Sequence, residues 1–369
     1  MNRITLSPRI RMTPYHRSVV EAGVSDISVY NKMVMPTSYG DLKAEYERLI
    51  NSVAIWDVSV ERQVEVSGPD ADVCAQYFTS RDISKMVEGQ GKYVAMCDHA
   101  GIILNDPVLM KLSGNRYWFS IGDNDMLLWC KGIAAERGWD VEVTEPDVSP
   151  LAVQGPKAED LVAELFGEHI RDLKYFWFVE TELEGIPLVL CRSGWSKQGG
   201  FELFLQDGSR GNDLYKTIMA AGAKYDIGPG APNHIERVES GLLSYGGDNT
   251  PDSNPLEAGM GRYVDTDTDV EYIGKAALQA DRLQPAPRPN NRRCPDQAHG
   301  GRSRLDRHDR DAGGRDVSHD PEAAVSLTNA TNAPPRSQRQ AFRTRSVANA
   351  ARAAPTIDVY RKNVCPYAP

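Results

Sequence analysis

Over residues 200–206, Phe201, Leu203 and Leu205 are interleaved with Glu202 and Phe204. That two-residue period is the mark of a half-buried strand. The strand follows a turn punctuated by Gly194, Gly199 and Gly200, and the glycine pair leaves room for a close approach to the backbone. The plain expectation for Glu202 is a solvent-facing carboxylate on an edge strand. The alternative is a donor-rich partner, because an unpaired buried charge is costly.

The same patterns divide the rest of the chain. Leu42, Tyr46, Leu49, Ile50 and Val53 recur at helical spacing behind Asp41, predicting a helix over 41–55 capped by that aspartate. Alternation predicts a strand over 56–66, then a turn and a helix over 71–79. Residues 92–97 and 102–110 read as paired strands joined by a hairpin turn at 98–101. Pro107 cannot donate to a ladder, so the second strand should bulge or lie at an edge, leaving Asn105 and Asp106 at an irregular point. Strands follow at 116–121 and 139–143, with a helix over 124–137 between them. In 151–158, a strand runs through a Gly155 turn, and Pro156 suits a first helical position. The aromatic run Tyr175-Phe176-Trp177-Phe178 is expected in the core of a buried strand. Further strands are predicted at 181–190 and 200–206, and a helix at 212–223. Asn233 can cap a helix with Ile235, Val238, Leu242 and Leu243 on one stripe; Glu239 falls within it and should be held by a structural partner. Short strands mixed with helices, without a regular βαβ repeat, predict an α+β, multi-lobed body.

Composition adds one division. The 369 residues carry a net charge of −9, which does not advertise nucleic-acid binding. Residues 281–369, however, hold 16 Lys+Arg against 9 Asp+Glu; all but Lys362 of those cations are Arg, and 10 of the 23 prolines lie there. The segment has no Trp, and only Phe342, Tyr360 and Tyr367 as other aromatics. It cannot bury enough apolar surface to offset its ordering entropy, so disorder is expected. Its abrupt onset is what out-of-frame translation of a GC-rich coding sequence would give; a natural disordered tail is the alternative. The expected division is therefore 1–280 and 281–369. No run is long and apolar enough for a membrane helix, and the start lacks the apolar core of a secretory signal. The six scattered cysteines look like reduced cytosolic thiols, so a cytoplasmic protein is expected, and neither they nor the seven histidines show metal-ligand spacing.

Several segments, in order over roughly residues 45–280, resemble the glycine cleavage T-protein (aminomethyltransferase) family. Trp56-Asp57-Val58-Ser59 resembles its Asp-Val-Ser block, and 100–105 its Gly-Gly-Ile-Ile-Asp-Asp. Residues 151–156 resemble Leu-Ala-Leu-Gln-Gly-Pro, and 192–203 resemble Arg-Thr-Gly-Tyr-Thr-Gly-Glu-Asp-Gly-Phe-Glu-Ile. Residues 237–242 resemble Arg-Leu-Glu-Ala-Gly-Leu, and 272–275 resemble Phe-Ile-Gly-Lys. The departures resemble the dimethylsulfoniopropionate demethylase branch: the family aspartate near the folate reaction centre falls on Asn105, Trp195-Ser196-Lys197-Gln198-Gly199 replaces Tyr-Thr-Gly-Glu-Asp, and an arginine position falls on Asn233. Leu-Asn-Asp-Pro-Val-Leu (104–109) and Ser-Gly-Trp-Ser-Lys-Gln-Gly-Gly-Phe-Glu (193–202) carry that likeness.

The resemblance implies tetrahydrofolate as cofactor, with Glu202 gripping adjacent N–H donors of the pterin. Tyr93, Asn124, Trp177 and Phe178 are expected around that pocket. It implies methyl transfer from a sulfonium to N5, with Asn105 near the reaction centre. Such a methyl is already activated, so the protein has mainly to align the reactants and exclude water. Trp195 is the candidate wall for the sulfonium by cation–π attraction, ahead of Trp56 and Tyr117. Lys197 or Arg192 would meet a substrate carboxylate. The rival readings are aminomethyl transfer or demethylation of another methylated amine, and turnover-free folate binding, the last because the family's C-terminal β-barrel is expected to be absent or replaced by the tail. The expected partner is a small-molecule substrate, with no dedicated nucleic-acid or membrane partner.

Overall fold

The computed structural model describes residues 6–249 and 252–283. Two antiparallel-dominated sheets form its centre. The larger has six strands in the order Phe178–Leu183, Ile186–Cys191, Gly200–Leu205, Ser149–Gln154, Val53–Asp57 and Ile227–Gly230, with only the last pairing parallel. The smaller has five: Glu142–Thr144, Gln63–Ser67, Arg116–Ser120, Val108–Leu112 and Gln90–Tyr93. Two ribbons stand apart, Asp26–Tyr30 with Met33–Ser38, and Met96–Cys97 with Ile103–Asn105.

Each sheet buries one face under helices. Phe201, Leu203 and Leu205 join Leu161, Leu214 and Ile218 of the helices Ala158–Phe166 and Gly211–Gly222. Val64, Val66 and Phe119 pack with Cys74 and Phe78 of the helix Ala71–Phe78 and with Cys130 of the helix Met126–Arg137. The opposite faces meet through Met110, Trp118, Phe178, Val189 and Phe204. The result is an α+β body of helices, sheet, sheet and helices, as the pattern predicted.

Asp41 caps its helix through bonds from Lys43 N and Ala44 N, but the helix is Leu42–Asn51 and not 41–55. Val53 and Ile55 belong instead to a strand buried in every position, where β-branched residues pack well. The strand predicted over 56–66 is interrupted at 58–62, because the Asp57 carboxylate accepts from Ser59 N (3.2 Å) and Ser59 Oγ (2.7 Å) and turns the chain. Residues 181–190 form parts of two paired strands joined by a turn at Glu184 and Gly185. The strands at 103–105 and 108–112 break at Pro107, as its missing donor requires. Pro156 lies in the turn before the helix Ala158–Phe166, not at its first position. The aromatic run is no buried strand: Phe176 has φ +63°, Tyr175 is exposed, and only Phe178 enters a strand.

The stripe expected after Asn233 is turned outward. Asn233 caps the helix His234–Ser240 through Ile235 N and Glu236 N, yet Ile235 and Val238 are 52% and 65% exposed. Glu236 is the buried residue; its Oε1 accepts from Lys197 N (3.1 Å) and Gln198 Nε2 (3.2 Å). Glu239 is exposed and accepts from Tyr46 Oη at 2.6 Å. The last helix runs Lys275–Leu283. The expected tail begins at 281, but 281–283 belong to this helix; the rest of that expectation, and the missing barrel, fall on 284–369, outside the described residues.

Candidate functional site

A cavity of about 950 Å³ lies against the strand Gly200–Leu205, within the usual range for small-molecule sites. Glu202 lines it, only 8% exposed, on a strand that is third of six and not at an edge. Alternation places Glu202 opposite Phe201 and Leu203, so it leaves the helix-covered core and faces the cavity. Ser193 Oγ donates to its Oε2; no other described group donates to this carboxylate. Burial raises the affinity of Glu202 for a proton, and the Ser193 bond pulls it partly back.

Gln154, fully buried in the neighbouring strand, shapes the turn before Glu202. Its Nε2 donates to Ser193 O (3.0 Å) and Phe201 O (3.3 Å), and its Oε1 accepts from Ser196 Oγ (2.8 Å). A methyl group at Gly194 (φ +148°) would overlap the Gln154 amide. The turn therefore needs glycine there, both for backbone conformation and for space.

Two further carboxylates line the same cavity, and neither was picked out as a site residue from the sequence. Asp106 accepts from Tyr93 Oη at 2.7 Å; burial lifts its pKa to about 6, against the opposing effect of that hydrogen bond. Glu61, in the 58–62 turn, is pushed well above the usual carboxylate range by burial and then by repulsion from Glu202 and Asp106. Aromatic rings complete the wall: Tyr30, Tyr93, Tyr175, Phe176, Trp195 and Tyr263. Tyr93 and Tyr263 meet edge to face at 4.9 Å.

Trp195 lines the cavity as expected. Its Nε1 donates to Leu243 O (2.9 Å), His234 meets its ring at 87°, and the Arg237 guanidinium lies 5.8 Å from the ring centroid. Lys197 also lines it, with Nζ on Ser240 O. Arg192 does not: it pairs with Glu159 and donates to Arg171 O (3.1 Å) and Leu173 O (3.3 Å), which commits it to holding the chain.

Asn105 is displaced by one residue from the site. It is fully buried behind the wall, accepts from Gly122 N (2.9 Å) and Asp106 N (3.1 Å), and donates to Gly122 O (3.2 Å). It clasps the loop that carries Asp106, which is the side chain on the cavity. Of the other expected pocket residues only Tyr93 lines the cavity. Asn124 ties Leu104 O (2.7 Å) to Tyr245 Oη (3.3 Å), Phe178 is core between the sheets, and Trp177 sits under Lys174. Trp56 is core, and Tyr117 donates to Asp72 away from the cavity. The signal that could have found Asp106 was the strand break at Pro107; Glu61 stood inside 56–66, which read as one strand.

Among the described residues, no group of three or more His, Cys, Asp or Glu side chains is arranged to hold a metal ion, and no helix is long and apolar enough to cross a membrane.

Residues 15–268 match the family described as GCVT N-terminal domain. The chain is 48% identical over 278 residues to the dimethylsulfoniopropionate demethylase DmdA of Ruegeria pomeroyi, covering 75% of this chain and 76% of that one. It is 30% identical over 285 residues to an aminomethyltransferase of Shouchella clausii, covering 76% and 77%. The crystal structure of the glycine cleavage system aminomethyltransferase T of Bartonella henselae superposes with a TM-score of 0.66 at 22% identity, over 75% of this chain and 76% of that one, which establishes likeness of fold.

Proposed function

The chain belongs to the glycine cleavage T-protein (aminomethyltransferase) family, and from that premise we propose that it is a tetrahydrofolate-dependent demethylase acting on dimethylsulfoniopropionate. The products are methylmercaptopropionate and 5-methyltetrahydrofolate. Residues 1–280 carry the activity.

The observation that carries the reading is Glu202 in its cavity. One carboxylate oxygen has Ser193, and the other faces the cavity with no donor among the described residues. A pterin edge presents adjacent N–H groups of the kind a buried carboxylate accepts, and a cavity of about 950 Å³ has room for it beside a small donor. When bound, tetrahydrofolate supplies the N5 lone pair that receives the methyl group. The S–CH3 bond breaks with its electrons staying on sulfur.

The chain's own residues supply position and charge. Glu202 orients the pterin, and Trp195 with the neighbouring rings walls off the sulfonium from water. Asp106 takes the proton that N5 releases; its pKa of about 6 leaves it ionised at neutral pH, and Tyr93 fixes the carboxylate. Lys197, at the same wall, is the cation for the substrate carboxylate. Aminomethyl transfer is the weaker reading, since the aminomethyltransferase relative is the more distant by identity.

The test is incubation of the full chain with tetrahydrofolate and dimethylsulfoniopropionate. Methylmercaptopropionate and 5-methyltetrahydrofolate should appear in equal amounts. Intact folate binding without either product would refute demethylation and leave a folate-binding protein.

A further inference from the structure

We propose that Glu61 determines the class of methyl donor: its carboxylate is the counter-charge for a permanently cationic onium group, sulfonium or quaternary ammonium. The inference deepens the demethylase reading and rests on it for the identity of the site.

The three carboxylates on the cavity differ in what already holds them. Glu202 has Ser193, and Asp106 has Tyr93. The Glu61 carboxylate accepts no hydrogen bond from any described residue; Gln63 Nε2 takes its backbone carbonyl instead, at 2.7 Å. The adjacent cation is turned away. Arg62 is buried, with Nε on Glu145 (3.2 Å) and Nη1 on Ser59 O (3.1 Å) and Val148 O (2.9 Å). Glu61 therefore stands half-buried, beside two like charges, with no donor and no cation among the described residues.

Such a group is costly unless a ligand completes it. An N–H donor could do so, but the apolar wall beside Glu61 offers a different fit. Val58 and Val60 come from the same turn, and Tyr30 and Ile121 line the cavity with them. Methyl groups on sulfur or nitrogen pack against that surface, while their centre carries a charge that no proton loss can remove. Charge and shape together select a methylated onium.

The same residue favours departure of the product. When the S–CH3 bond breaks, its electron pair stays on sulfur and the donor becomes a neutral thioether. The attraction to Glu61 disappears in the step that makes the product. Donor and thioether should therefore differ in affinity through this side chain, whereas folate, held by Glu202, should respond to it much less.

Binding measurements on the full chain separate the possibilities. In Glu61→Gln, affinity for dimethylsulfoniopropionate and for glycine betaine, the trimethylammonium probe, should each fall about tenfold or more, while methylmercaptopropionate and tetrahydrofolate stay within about threefold. Glu61→Asp keeps the charge and should keep most of the preference for donor over thioether, which holds the test open if the glutamine variant folds poorly. Loss of folate affinity with donor affinity unchanged would overturn the proposal and make Glu61 a pterin contact. Equal loss of all four ligands would overturn it in favour of a structural role. Because these are binding measurements, absence of turnover in the unaltered chain would count against demethylation alone and not against Glu61.

Discussion

Gln154→Leu tests how the site is built. The substitution is close to isosteric but removes every hydrogen bond that the side chain makes to the turn carrying Trp195 and Glu202. Ser193 O loses its 3.0 Å donor, Ser196 Oγ loses its 2.8 Å acceptor, and Phe201 O loses a 3.3 Å contact. Ser193 and Ser196 are both buried in the wall of the cavity, so few partners remain for what is lost. A buried group left unmade costs about 1–3 kcal/mol, and two of them, less what leucine regains by apolar contact, give a destabilisation of about 2–4 kcal/mol. Ser193 is also the donor to Glu202, so loosening it should lower folate affinity at least about tenfold, the equivalent of about 1.4 kcal/mol. Urea unfolding measures the first quantity and a folate titration the second. A stability change below about 0.5 kcal/mol together with unchanged folate affinity would refute the claim that Gln154 holds the turn.

Other consequences are open to measurement. Glu202→Gln keeps the side-chain shape and removes the negative charge, so tetrahydrofolate binding should weaken about a hundredfold while folding is retained; unaltered affinity in a calorimetric titration would take Glu202 out of the site. Trp195→Ala should raise KM for the sulfonium donor about tenfold and Trp195→Phe much less, and an unchanged KM in the alanine variant would remove the ring from the donor wall. Asp106 has a folded-state pKa of about 6 against about 3.9 for an unfolded aspartate, so the folded chain binds its proton more tightly. The stability this carboxyl contributes is fully present below about pH 4 and is lost as pH rises through about 6. Relative to Asp106→Asn, the unaltered chain should lose stability across that window, and a difference that grows with pH would show the sign to be wrong.

What the sequence disclosed follows from which interactions are local. Two-residue alternation found the strand at 200–205, and Asp41 and Asn233 announced helix starts, because caps and periods depend on near neighbours. Alternation could not tell whether the polar face of that strand met solvent or a second sheet. That depends on Trp118 and Phe204, 86 positions apart in the chain and 6.3 Å apart in the fold. Similarly, Ile235 and Val238 predicted a buried stripe, but Glu236 takes the inner face because the backbone and side chains of the 197–198 turn donate to it. The family likeness drew attention to Asn105, whereas the break at Pro107 turns the neighbouring Asp106 into the cavity. Glu61 stayed hidden behind one local event, the Asp57 side-chain turn that ends the strand early.

Transfer of the intact methyl group is tested most directly with dimethylsulfoniopropionate bearing fully deuterated methyl groups. A single turnover with tetrahydrofolate, read by mass spectrometry, should give 5-methyltetrahydrofolate heavier by the three deuterons of one methyl group, with deuterated methylmercaptopropionate in equal amount. Unlabelled methyltetrahydrofolate, or a folate product that has lost deuterium, would contradict direct transfer from sulfur to N5.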